Sequence, residues 1–169
     1  MIVMKFGGTS VESAEAIERV AGIVKSRIGR RPVVVVSAMG KTTNKLLEIA
    51  SQAVSGKRER FIELLHDLRD FHSREAARVV SDHSDRTAVD LAINEHFQEL
   101  MELMKGLAVL GELTLRSIDA ISSYGERLSS IIVTLAFRHF GMTAEHLDSR
   151  KVIVTDKRHT QAAPIFPET

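Results

Sequence analysis

Ile2 to Phe6 is a short apolar run that stops at Gly7-Gly8, the pattern of a strand entering a turn. Ile17, Val20, Ala21, Val24 and Ile28 then recur at helical spacing. Glu12 and Glu15 lie near the start of that stripe and Lys25, Arg27, Arg30 and Arg31 near its end, the charge order a helix dipole favours. Pro32 opens Val33-Val34-Val35-Val36, four β-branched residues without alternation, which predicts a strand buried on both faces as in a parallel sheet. Strand, helix, strand in this order is a βαβ unit, expected to have a right-handed crossover.

The period then becomes helical for a long stretch. Leu46, Leu47, Ala50 and Val54 form one stripe, with Gly56 as its stop. Phe61, Leu64, Leu65 and Leu68 form a second, and Val89, Ile93, Phe97, Leu100, Met104 and Leu107 a third, parted by the polar run Ser81 to Asp85. Residues 57–112 therefore read as a helical hairpin inserted into an α/β domain. Leu128, Ile131, Ile132 and Leu135 mark a further helix closing near Gly141, and two strands are expected around Thr143 to Leu147 and Lys151 to Thr155. Gln161 to Thr169 shows no periodicity.

Composition narrows the classes. With 169 residues and 44% hydrophobic content, the chain can bury one sizeable core. A net charge of +1, from 23 basic and 22 acidic residues, gives no field for holding nucleic acid or an anionic membrane. There is no cysteine, which excludes disulfides, thiolate metal sites and a cysteine nucleophile. No apolar run approaches the ~20 residues that span a bilayer, and the N-terminus lacks a signal-peptide pattern, so the expected location is cytoplasmic.

Three segments could carry chemistry. In Lys5-Phe6-Gly7-Gly8-Thr9-Ser10, a lysine ends a strand, two glycines let backbone approach a ligand, and a helix N-terminus is expected to follow. That combination suits a phosphate group; the plain alternative is a tight turn with a solvent-facing lysine. In Ser37 to Thr43, the hydroxyls of Ser37 and Thr43 can meet a carboxylate or phosphate, or Thr43 can simply cap the next helix. Gly40-Lys41-Thr42 resembles the end of a P-loop, but the first glycine of that motif would fall at Val35, so the match fails. In Ser122-Ser123-Tyr124-Gly125-Glu126-Arg127, a glutamate at a helix start can face a cleft and pair with a substrate ammonium group, or merely complement the helix dipole. His66 and His72, with Asp67 and Asp70 between them, read as a solvated helix surface, His83 as a loop residue, and Met101 with Met104 as core filler.

Taken together and in this order, Lys5-Phe6-Gly7-Gly8-Thr9-Ser10, Ser37-Ala38 with Thr43-Asn44, and Tyr124-Gly125-Glu126 resemble the aspartate kinases of the amino-acid-kinase superfamily. Leu147-Asp148-Ser149-Arg150-Lys151, Thr155-Asp156 and the Ala163-Pro164 step continue the resemblance, which covers essentially the whole chain. It implies an α/β fold, a three-layer αβα arrangement with a mostly parallel sheet. It implies ATP as phosphoryl donor, L-aspartate as acceptor, and Mg2+ carried on the ATP phosphates with no protein metal ligands. Lys5 would stabilise the transferring phosphoryl group; Gly7, Gly8, Thr9 and Ser10 would line the ATP phosphates. Thr43 would contact aspartate, Glu126 its α-amino group, and Ser37 is a further candidate for the same pocket.

Against that pattern, the family's nucleotide loop, Thr-Thr-Leu-Gly-Arg-Gly-Gly-Ser-Asp, and its ACT domains are absent from residues 1–169. The chain therefore reads as the substrate-binding N-terminal lobe, inactive in isolation, of a protein expected to be a homo-oligomer at full length. The rival readings are a kinase for another amino acid and a non-catalytic chain that binds a ligand or a partner.

Overall fold

The computed structural model describes the backbone of residues 1–169 and the side chains of all but residues 83 and 84. Strand β1 (Ile2–Phe6) and strand β2 (Pro32–Val36) pair in parallel, with Val3 opposite Val33 and Lys5 opposite Val35. Helix α1 (Ala14–Lys25) connects them, completing the βαβ unit that the sequence pattern predicts. Helices α2 (Thr42–Val54), α3 (Arg58–Val79), α4 (His83–Leu110) and α5 (Leu115–His139) follow.

The core lies between the helices and one face of the sheet. Met4, Phe6, Val34 and Val36 pack against it, while α1 contacts α3 and α5, α5 contacts β2, and α2 touches α3, α4 and α5. The other sheet face is open, with Val3, Val33 and Val35 exposed by 65%, 45% and 44%. The expectation that β2 is buried on both faces is thus corrected: it alternates, because the structure covers the sheet on one side only. Two of the three layers of an αβα sandwich are present, around a parallel sheet.

The helical stripes hold up in detail. Val89, Ile93, Phe97, Leu100, Met104 and Leu107 are all buried, as are Phe61, Leu65 and Leu68. Helices α3 and α4 lie within the expected insertion at 57–112 and pack on each other. Gly56 and Gly141 take φ of +72° and +78° just past α2 and α5, where a left-handed residue ends a helix. Ile28, placed in the α1 stripe by spacing, lies instead in a short 3-10 turn beyond Lys25 and is half exposed. The backbone of α4 already includes residue 83, read as a loop; its side chain lies outside the described residues.

Three further expectations are corrected. Residues 143–147 and 151–155 form no strand; the chain there makes a 3-10 turn (Ser149–Lys151) and one antiparallel bridge, Thr155 with Pro164. The β-branched run there pairs with neither strand of the sheet, and Val152 and Ile153 stay exposed by 42% and 46%. The tail is pinned elsewhere: the Asp119 carboxylate on α5 accepts the Thr160 backbone N–H at 2.9 and 3.0 Å, holding Thr160 at a φ of +66°. Next, His72 is wholly buried rather than solvated. Finally, α5 begins at Leu115, capped by Thr114, so Glu126 lies in mid-helix and not in a first turn.

Candidate functional site

The two loops that leave the strands are joined by backbone hydrogen bonds. Ser37 N–H donates to Phe6 O at 3.1 Å, carrying the ladder one step past β2, and Gly40 N–H donates to Gly8 O at 3.2 Å. A Cβ on Gly8 would lie 3.1 Å from both Ala38 O and Gly40 O, too close for backbone atoms that cannot swing away. Gly40 itself sits at a φ of +52°. Glycine at these two positions therefore lets loop one (residues 7–10) and loop two (residues 37–43) lie against each other at the carboxyl end of the sheet, where ligands of open α/β folds bind. At Gly7 the missing Cβ faces open space, room for a ligand to approach the backbone.

Helix α5 closes the site from the other side. A Cβ on Gly125 would be 2.8 Å from Ala38 Cβ, 3.4 Å from Thr42 Cγ2 and 3.6 Å from Thr43 Oγ1. A glycine in a helix interior costs about 1 kcal/mol relative to alanine; here the bare Cα lets the helix press on loop two. The next residue uses that proximity: Glu126 Oε1 accepts the Ala38 N–H at 3.3 Å. Since α5 carries Glu126 in its middle, the dipole-complementing role considered from the sequence does not apply. A carboxylate has about four acceptor positions, so Glu126 can hold the loop and still receive an ammonium group.

Thr43 does not cap α2. The cap position is Lys41, without a side-chain cap, and it is the Thr42 hydroxyl that turns back, donating to Met39 O at 2.6 Å. Thr43 is half-buried beside Gly125, with Glu126 one residue further along the helix. Gly8, Ser37, Thr43 and Glu126 are thus gathered at one end of the sheet. Lys5, Gly7 and Thr9 lie at the exposed rim, Lys5 on the open sheet face opposite Met4 and Phe6. Ser10 is half-buried in the 3-10 turn Gly8–Ser10, its N–H donating to Gly7 O at 2.9 Å.

The helix expected behind loop one is present as α1, but its N-terminus is not free to meet a ligand. Val11 to Ser13 intervene before α1, whose first N–H groups are already taken: Ala16 N–H by Ser13 Oγ at 3.3 Å, and Ala14 N–H by the buried carboxylate of Glu75 at 3.1 Å. Any anion binding at loop one must rest on its own backbone, on Lys5 and on hydroxyls, because the α1 dipole end is occupied.

A polar cluster steadies the α5 segment. Tyr124 OH donates to Glu99 Oε2 at 3.1 Å, Arg127 Nη2 reaches the same oxygen at 3.4 Å, and the Arg127 guanidinium stacks over the Tyr124 ring at 4.4 Å. Burial pushes the Tyr124 hydroxyl up from its ordinary pKa, so it stays a donor. Further along the chain, Arg150 holds the Asp148 carboxyl well below the usual carboxylate range.

Two residues at the site carry little sign of their role in the sequence pattern. Gly125 was part of a motif without a role, although a glycine inside a strongly helical stripe is itself a sign of close packing. His72 lay among charged neighbours, and only the burial of its own helix face reveals it. Among the described residues, no three His, Asp or Glu side chains gather as a metal-binding group. Nor is any helix among them long and apolar enough to cross a membrane.

Residues 1–165 match the model of the amino acid kinase family. Aspartokinase 2, chloroplastic, of Arabidopsis thaliana is 39% identical over 158 residues, covering 91% of this chain and 28% of that protein. The aspartokinase of Chlamydia trachomatis is 31% identical, covering 96% of this chain and 34% of that one. Among solved structures, E. coli aspartokinase III in complex with aspartate and ADP superposes with a TM-score of 0.84 at 26% identity, over 99% of this chain and 35% of that one. The chain thus spans about a third of the length of these relatives. With the glycine-zipped loops, the parallel sheet and this match along nearly its whole length, the chain belongs to the amino acid kinase family.

Proposed function

We propose that this chain forms the acceptor side of an aspartate kinase, which transfers the γ-phosphoryl group of ATP to the β-carboxylate of L-aspartate. The observation that carries the reading is the convergence of Thr43 and Glu126 on the loop that Gly125 and Gly8 allow to close. A carboxylate in mid-helix beside a hydroxyl suits a zwitterionic amino acid, the carboxylate taking the α-ammonium and the hydroxyl a carboxylate oxygen. The E. coli neighbour is described with aspartate and ADP bound, which agrees with an amino-acid acceptor and a nucleotide donor.

In the transfer, an aspartate β-carboxylate oxygen forms a bond to the γ-phosphorus as the bond to the β,γ-bridging oxygen breaks, leaving ADP and 4-phospho-L-aspartate. The attacking carboxylate is already anionic near neutral pH, so no general base is required. The protein's work is positioning and charge neutralisation. Lys5, on an exposed strand end, would offset the charge of the transferring group; Gly7, Gly8, Thr9 and Ser10 would face the ATP phosphates. Mg2+ would arrive on the ATP phosphates and add to the charge neutralisation there. The reading places the product at the first step of lysine, threonine and methionine synthesis, in a cytoplasmic homo-oligomer.

The test is phosphoryl transfer by the full encoded protein, with the acyl phosphate trapped by hydroxylamine. Aspartyl hydroxamate formed from L-aspartate, and not from L-glutamate, is expected. No trapped product, or a preference for glutamate, would overturn the assignment. A second reading, a non-catalytic partner-binding chain, draws on the uncovered apolar face around Val3, Val33 and Val35; self-association with no response to aspartate would favour it.

A further inference from the structure

Beneath loop two lies a polar contact that the acceptor site as described does not use. His72 on α3 is completely buried, and its ring bridges two elements: Nδ1 is 2.8 Å from Leu68 O on its own helix, and Nε2 is 3.3 Å from Thr42 Oγ1 at the start of α2. The Thr42 hydroxyl, also buried, is 2.6 Å from Met39 O, which in addition accepts the Thr42 N–H at 3.1 Å. A histidine thus ties the helical insertion to the turn that presents Thr43.

Hydrogen-bond bookkeeping fixes how the contact works. The ring is neutral, since burial drives its pKa down to about 4, with Lys45 on α2 adding repulsion against the bond to Leu68 O. A neutral ring facing a carbonyl must put its proton on Nδ1, which donates to Leu68 O and leaves Nε2 an acceptor. The Thr42 hydroxyl proton is then shared between Met39 O and Nε2. An edge contact from Phe71 at 5.1 Å and a tilted one from Phe97 at 5.8 Å between ring centroids hold the imidazole in that orientation. Thr42 Cγ2 is also one of the atoms Gly125 approaches. Any slackening of Thr42 therefore alters the packing of loop two on α5 and the placement of its neighbour, Thr43.

We propose that His72 is a positioning residue for the acceptor substrate, setting Thr43 through the His72–Thr42–Met39 contact. This rests on the aspartate kinase reading above. It assigns the α3–α4 insertion a task beyond filling core: its first helix supplies the strut under the substrate loop. The ring never meets the substrate.

The test uses His72→Gln, His72→Phe and Thr42→Val, singly and combined, in the full encoded protein. Glutamine keeps a polar group near the position of Nε2; phenylalanine keeps the ring and loses the bond. His72→Phe and Thr42→Val are each expected to raise the aspartate KM about tenfold, the order of a lost and unsatisfied buried hydrogen bond, with ATP KM held. The double variant is expected to be no worse than either single one, because both break the same contact. His72→Gln is expected to stay within about threefold of the native KM. An unchanged aspartate KM in His72→Phe, or fully additive effects, would overturn the proposal. Amide exchange supplies a readout free of activity: residues 39–43 should exchange faster in His72→Phe while α4 stays protected. If those amides do not respond, the strut is refuted, whereas a native protein that makes no aspartyl phosphate refutes the functional reading instead.

Discussion

Gly125→Ala puts the close approach of α5 to loop two under direct strain. The added methyl would start 2.8 Å from Ala38 Cβ, while carbon atoms rest at about 3.5–4.0 Å, so helix and loop must part by roughly 1 Å. Overpacking of this size costs about 1–3 kcal/mol, and replacing a mid-helix glycine with alanine gives back about 1 kcal/mol. The net loss of stability is then at most about 2 kcal/mol, roughly 4–8 °C in Tm for a chain of this size. Function should suffer far more, since a displacement of about 1 Å at a substrate-positioning element costs on the order of 10²-fold. The measurements are kcat/KM for aspartate by hydroxamate trapping and a thermal melt on the same preparation. Gly22→Ala is the control: that glycine is exposed in α1 and its Cβ would meet nothing within 4 Å. It should gain about 1 kcal/mol and keep full activity. Native kcat/KM in Gly125→Ala would refute the argument, and so would a loss of activity no larger than its loss of folded protein.

Glu126→Gln keeps an acceptor for the Ala38 N–H but removes the charge; aspartate KM should rise about 10–100-fold, as for a charged hydrogen bond made neutral, with ATP KM and Tm near native values. Lys5→Met should lower kcat by about 10²–10³ and leave the melt unchanged, because Lys5 is exposed; a fall in Tm instead would make it a structural residue. Stability should also depend on pH through His72. Its folded pKa of about 4 lies below the ordinary value of 6.5, so between these values the unfolded chain binds the proton and the folded one does not. Stability is therefore full above pH 6.5, falls as pH drops towards 4, and levels off below, by about 3 kcal/mol in all. Urea denaturation across that window should show a clearly shallower slope in His72→Gln than in the native protein, the remainder coming from other groups such as His96 and His146, whose burial also lowers their pKa.

How legible the molecule is in its sequence depends on whether the deciding partner is local. The α4 stripe is read correctly at all six positions because periodicity and burial on one face are the same fact. Loop residues Gly8, Thr43 and Glu126 are legible as a group through their motifs. Glu126 is misplaced at a helix start because Gly125 reads as punctuation; what overrides that is the contact with Ala38, distant in sequence. The α1 N-terminus is misjudged as an anion site for a similar reason, as Glu75 reaches it from α3. His72 cannot be told from His66 by composition, since both sit among charges, yet on the same helix His72 is buried and His66 exposed. The expected strands beyond Gly141 fail because a β-branched run such as Val152-Ile153-Val154 states a preference for extended backbone and not a pairing partner, and the sheet here takes in β1 and β2 alone.

The hydrogen bond from Gly40 N–H to Gly8 O makes the two glycine loops one mechanical body. A ligand that moves loop one must drag or break loop two, and the converse holds equally. If the donor settles on the first and the acceptor on the second, their affinities are linked, and thermodynamic reciprocity fixes the exchange: whatever factor the nucleotide applies to aspartate binding, aspartate applies to nucleotide binding. The strength of that linkage then runs through a backbone contact between two residues that have no side chains.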